Sequence, residues 1–154
     1  MNRLHDFLGA VAAAAGVPPI RLGANGFAEL VIQDGLMSFW ISTPEEDRVE
    51  LSARLPAFGE VLHADILREL LAENACRRIG RFALDGNGVV LGQRLDLSAM
   101  DESDMVAHAA DFLREALHLE ASGAQAIMDR ARRQQPAHPH SGGGHQPDQT
   151  IVRL

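Results

Sequence analysis

The sequence predicts an α+β fold, an antiparallel twisted sheet covered by helices in the order α-β-β-β-α-β-β-α, followed by a tail that builds no packed element. Three observations carry this reading. Apolar residues recur at helical spacing in three separated stretches. Between them lie five short extended segments, a run of three and a run of two, each run holding an Asp-Gly turn signal. From Gln134 onward prolines, glycines and histidines replace the apolar pattern, so residues 1–133 read as one domain and 134–154 as a disordered His/Gly/Pro-rich tail.

Leu4, Phe7, Leu8, Val11, Ala12 and Ala15 follow the i, i+3, i+4, i+7 rhythm of an amphipathic helix, which Gly16 and Pro18-Pro19 end. Extended segments follow at Phe27 to Gln33, Leu36 to Thr43 and Arg48 to Leu55. Asp34-Gly35 suits the positive backbone angles of a tight hairpin between the first two. The third alternates, with Val49, Leu51, Ala53 and Leu55 on one face and Glu50, Ser52 and Arg54 on the other, as a half-buried strand does. The second does not alternate. Phe39 and Ile41 share one side and Leu36 and Trp40 the other, so this strand is either covered on both faces or leaves an apolar strip open for a partner.

From Glu60 to about Asn74, Leu62, Ile66, Leu67, Leu70 and Leu71 return to helical spacing, with Asn74 as terminator. Two strands follow, Arg81 to Leu84 and Val89 to Leu97, joined by Asp85-Gly86-Asn87-Gly88. Asp101-Glu102-Ser103-Asp104 then supplies capping acceptors and negative charge for the positive end of a helix dipole. The helix that starts there carries Met105, Ala109, Phe112, Ala116 and Leu119 on one stripe, continues past Gly123 to Ile127, and meets Arg130, Arg132 and Arg133 at its end.

Composition restricts function. All fourteen basic residues are arginines, which excludes Schiff-base chemistry and a Walker-type phosphate lysine. Against twenty-one acids they leave a net charge of −7, and residues 1–128 alone carry −9. Unspecific binding to a phosphate backbone needs the opposite sign, so nucleic acid is not an expected partner. The single cysteine, Cys76, cannot form an internal disulfide and fits a reducing compartment. His5 and Asp6 interrupt the apolar start of the chain, which speaks against a secretory signal, and no stretch approaches the ~18 apolar residues of a membrane span. A cytoplasmic protein is expected.

Few residues suggest chemistry. His138, His140 and His145 have metal-ligand spacing but lie in the Gly/Pro tail, where nothing orients them, so no metal site is expected. Gly86-Asn87-Gly88 joins two strands and opens no helix, so it is a turn rather than a phosphate loop. Arg77, Arg78 and Arg81 form a basic cluster that reads either as solvated charge or as a dock for an acidic segment. No nucleophile–base pair emerges, so catalytic and cofactor-binding residues are both expected to be none. What stands out is the helix from Leu62 to Leu71, whose apolar arc is wider than one sheet contact needs and suggests a two-fold subunit interface.

The element order, size and acidic balance resemble the class I type III secretion chaperones, the Tir chaperone or CesT-like family, over about residues 3 to 120. The marks are Phe7-Leu8 in the first helix, Gly26-Phe27-Ala28-Glu29-Leu30-Val31-Ile32 in the first strand and Leu67-Arg68-Glu69-Leu70-Leu71-Ala72-Glu73-Asn74 in the second helix. Gly80-Arg81-Phe82-Ala83-Leu84-Asp85 and Val89-Val90-Leu91-Gly92-Gln93-Arg94-Leu95 complete them. The chain departs from the family in offering His118 and Leu119 where an aromatic residue often stands late in the last helix, and in its His/Gly/Pro tail.

The resemblance implies a bacterial, cytoplasmic, homodimeric and ATP-independent chaperone without cofactor. Such a protein binds the N-terminal segment of a secreted effector, keeps it soluble and secretion-competent, and delivers it to the export apparatus, with the secretion ATPase as a further partner. Carried over residue by residue, Leu67, Leu70, Leu71 and Phe82 fall at the dimer contact, and Leu8, Val11, Phe39 and Ile41 at grooves for the effector. Every one of these positions also reads as ordinary core. Two other functions stay open: a chaperone-like regulator that sequesters a transcriptional regulator or another chaperone, and a small enzyme with an unrecognised site.

Overall fold

The computed structural model describes residues 2–32, 37–60, 62–86 and 88–134. The Asp34-Gly35 turn, Asn87 and the tail histidines lie outside these residues. The described chain forms α1 (Arg3–Ala15), β1 (Phe27–Ile32), β2 (Met37–Glu45), β3 (Arg48–Arg54), α2 (Ala64–Cys76), β4 (Arg81–Asp85), β5 (Gly88–Asp96), α3 (Glu102–His118) and α4 (Ala124–Arg133). Every strand pairing is antiparallel and the sheet runs β1-β2-β3-β5-β4, so β1 and β4 are its two edges. This is the expected α+β arrangement.

Local chemistry sets the boundaries. Asn2 caps α1 by accepting from the His5 N–H, and Gly16 closes it in the left-handed region at φ 66°. Arg3 donates through Nη1 to the carbonyls of Leu97, Ser98 and Met100 at 2.6–2.9 Å, which ties the start of α1 to the 3-10 turn after β5. The Asp101 carboxylate accepts from the Asp104 N–H while the Asp104 carboxylate accepts from the Asp101 N–H, a reciprocal capping box at the start of α3.

One sheet face carries the core. Met37, Phe39 and Ile41 of β2, Val49, Leu51 and Ala53 of β3, and Val89, Leu91 and Leu95 of β5 are buried with Phe7, Leu8 and Val11 of α1 and Phe112 and Leu113 of α3. The opposite face keeps Trp40, Ser42, Glu50, Ser52 and Arg94 at least partly exposed, and no helix covers it among the described residues. Thus β2 is not covered on both faces: Trp40 lies on the bare side, with the Arg54 guanidinium 5.5 Å from its ring centroid.

Burial corrects the proposed effector grooves. Val11, Phe39 and Ile41 are completely buried and Leu8 nearly so, and Phe39 meets Phe112 edge to face at 5.6 Å between ring centroids. The cause is the paired α1 and α3 layer, which closes the sheet face towards which odd-numbered β2 residues point. Within one chain no open groove exists at these four positions.

Two helix boundaries also differ from expectation. Leucine spacing suggests a start near Glu60, but a 3-10 turn at Pro56–Phe58 intervenes and α2 begins at Ala64. Asn74 does not end α2, which continues to Cys76. The last helix bears the expected stripe, yet it is two α-helices joined by a π-helical turn at Leu119–Gly123.

Candidate functional site

An apolar opening lies between α2 and edge strand β4. Leu67, Leu70, Leu71, Asn74, Phe82 and Leu84 line a shallow hollow of about 280 Å³. Leu71 is 70% exposed and Leu84 54%, far more than large apolar side chains in a finished core. Leu70 and Phe82 form its floor, buried in the same chain. The four expected dimer-contact residues thus line one hollow, Leu67 and Leu71 at its surface and Leu70 and Phe82 buried beneath them. The hollow adds Leu84, which spacing alone missed because β4 alternates for only five residues.

Two devices shape this surface. The Asn74 side chain reaches β4, accepting from the Phe82 N–H at 2.7 Å and donating to the Phe82 carbonyl at 2.9 Å. The amide thus satisfies the backbone of the edge strand where a neighbouring strand otherwise would. On the far side of α2, Glu69 and Glu73 share Arg130 of α4, and Glu73 also pairs with Arg77, which in turn meets Glu115 of α3. Arg77 lies 4.5 Å from the Phe82 ring centroid, and its side chain is 8% exposed.

These charges tie α2 to α3 and α4 on the side away from the exposed leucines. Glu69 and Glu73 stand one turn apart, a repulsive spacing in an isolated helix, and Glu69 is the one buried charged residue among the described residues. Arg130 offsets that repulsion, and the hydrogen bond it donates to Glu69, with the charges of Glu73 and Glu69, raises its pKa above the usual arginine value despite burial. Of the basic cluster expected at residues 77–81, only Arg78 and Arg81 remain at the surface.

A second, different surface is the outer edge of β1. Phe27 is 39% and Val31 59% exposed, and the strand pairs only with β2. Among the described residues no group of three or more His, Cys, Asp or Glu could hold a metal, and no helix is long and apolar enough to cross a membrane. Cys76 is free and exposed.

The model of the Tir chaperone protein (CesT) family matches residues 6–120. No curated protein sequence matches the chain. Among solved structures, a chain of the ExsC-ExsE complex superposes with a TM-score of 0.62 at 20% identity, over 78% of this chain and 92% of that one. A chain of the HopA1-SchA chaperone-effector complex gives 0.59 at 12% identity, over 78% and 94%. A chain from the Yersinia pestis structure of the type III secretion chaperone SycH with a stable fragment of YscM2 gives 0.54 at 17% identity, over 75% and 98%. At such identities the likeness is one of fold. Residues 121–134, including α4 and Arg130, lie beyond the stretch that the family model matches.

Proposed function

Because the chain belongs to the Tir chaperone protein (CesT) family, we propose that it is a type III secretion chaperone. It binds the N-terminal chaperone-binding segment of a secreted effector as a homodimer in the bacterial cytoplasm, keeps it secretion-competent and hands it to the export apparatus, with the secretion ATPase as receiving partner. The family match over residues 6–120 carries this reading.

The geometry supports it in two ways. A hollow of exposed leucines on α2 and β4 suits a self-complementary contact, in which a second copy covers Leu67, Leu71 and Leu84 over the buried Leu70 and Phe82. An uncovered edge strand with exposed apolar side chains at Phe27 and Val31 suits an extended effector segment, which adds backbone hydrogen bonds along β1 and seats alternate side chains on it. Neither mode requires a catalytic group. The net charge of −7 opposes self-association of a protein that leaves such surfaces open.

The test is native co-purification from the producing bacterium, with partners identified by mass spectrometry and stoichiometry by light scattering. One secreted protein retained through its N-terminal region, at two chaperone chains per effector, is the expected result. A DNA-binding regulator or a second chaperone as sole partner would replace the delivery reading with sequestration. Leu71→Asp should yield monomers with unchanged circular dichroism, since Leu71 is exposed in the chain; a normal dimer would remove α2 from the contact.

A further inference from the structure

We propose that the cationic groove where β4 stops short of the end of β5 is a docking site for an extended acidic segment of a protein partner. The groove has a volume of about 500 Å³ and is lined chiefly by Arg78, Gly80, Arg81, Gly92 and Arg94, with Glu50 at its far wall. It lies on the bare side of the sheet, separated from the α2 hollow by β4, whose Ala83 borders both, and the proposal does not depend on the chaperone reading.

Three observations set the occupant. The first is charge. Three arginines face one glutamate in a fold whose first 128 residues carry −9, so this groove reverses the sign of the body around it. Arg78 has no acidic partner among the described residues. Arg81 is spent on the carbonyls of Arg77 and Gly80, which fix its position without neutralising it. Arg94 holds Glu50 only at 3.5 Å, with 83% of its side chain exposed.

The second is an unfinished ladder. β4 pairs with β5 from Gly88 to Gly92, but β5 runs on to Asp96, so residues 93–96 have a strand neighbour only on the β3 side. Gly80, at φ 65°, turns the chain out of that line; a Cβ there would meet Leu91 Cδ1 at 2.7 Å. An extended segment laid in line with β4 continues the sheet and passes beneath the arginines.

The third is the floor. Gly92 has no side chain, and a Cβ added there would come no closer than 3.9 Å to the Leu51 carbonyl, so the backbone tolerates a larger residue that would stand in the groove. A nucleic acid is disfavoured as occupant, because a phosphate backbone approaching this site also meets the acidic body.

The experiment uses the full chain and a fluorescein-labelled octapeptide of alternating glutamate and valine, followed by fluorescence anisotropy at low and moderate salt. Saturable binding that weakens with salt is expected, with the lysine–valine counterpart at least tenfold weaker. Arg78→Glu combined with Arg81→Glu should lower affinity at least tenfold, and Gly92→Thr should lower it similarly by filling the groove while keeping every charge. Arg114→Glu, on the helical side, should change nothing. If the arginine double variant does not fold, Arg78→Glu and Gly92→Thr decide the matter. Absence of binding at about 1 mM peptide, a Kd too weak to matter, overturns the proposal. So does equal binding of both peptides, or indifference to Gly92→Thr. Equal competition by a single-stranded oligonucleotide assigns the groove to nucleic acid, and a change in the protein's own mass with Arg78→Glu assigns it to a contact between copies.

Discussion

The Asn74 amide pairs with both backbone groups of Phe82, so a helix side chain takes the place of the missing neighbour at one edge of the sheet. Asn74→Ala leaves both groups without that partner. Unfolding free energy should fall by about 1–3 kcal/mol, the usual penalty for stranding part-buried polar groups. The Phe82 amide should exchange hydrogen faster than its neighbours in β5; unchanged protection would show that the side-chain pairing contributes nothing.

Phe39 distinguishes core from surface. Its ring is completely buried against Phe112, so Phe39→Ala should cost about 3–5 kcal/mol in urea denaturation, and Phe39→Asp should not fold. Phe27→Ala, on the opposite face at 39% exposure, should cost less than about 1 kcal/mol. Similar losses at both positions would contradict the one-sided sheet.

Much of this architecture is legible in the sequence. Alternation in β3, the Asp85-Gly86 turn signal and the stripe from Met105 to Ile127 place most elements within a few residues. What could not be read is long-range. Phe39 and Trp40 are both aromatic neighbours on one apolar strand, and only the α1 and α3 layer decides which is core. Arg77 and Arg78 are chemically identical, yet one turns inward because Glu73 and Glu115 lie there. Leu67, Leu70 and Leu71 were legible as one apolar arc because helical spacing puts them together on α2, whereas Phe82 was carried over from the family resemblance and Leu84 joins them only through the return of β4. The Glu69–Arg130 pair spans sixty-one residues, beyond any local pattern.

That pair gives a third prediction. Arg130→Ala removes the cation shared by Glu69 and Glu73, but its side chain is 38% exposed, so solvent screening limits the loss to about 1–2 kcal/mol. Adding Glu69→Ala should restore part of that stability, since the buried carboxylate no longer lacks a partner. A strictly additive double variant, measured by urea denaturation, would mean the two side chains do not couple.

The α3 cap predicts a pH dependence. The Asp104 N–H first, and the Ser103 hydroxyl second, hold the Asp101 carboxyl below its ordinary pKa. A depressed native pKa adds stability that is fully present above the unfolded value of ~3.9 and is lost as pH falls through the native value. Replacing Asp101 by Ala should lower the melting temperature at neutral pH and flatten the acid limb of the stability curve. Parallel curves for the two proteins below pH ~4 would refute the assignment.

The π-helical turn at Leu119–Gly123 sets the rotational phase of everything after it. Its wider winding brings the Glu120 carboxylate onto the Ala57 N–H at 3.1 Å while presenting Arg130, ten residues on, to the carboxylates of α2. Rewinding the same five residues as regular α-helix would swing α4 by roughly 90° about its axis, because each α-helical residue advances about 100° and the π-turn absorbs one residue without that advance. Arg130 would then face away from Glu69, and Ile127 and Ala131 would leave the core together. A single extra residue in the backbone therefore acts as the gear that meshes the last helix with α2.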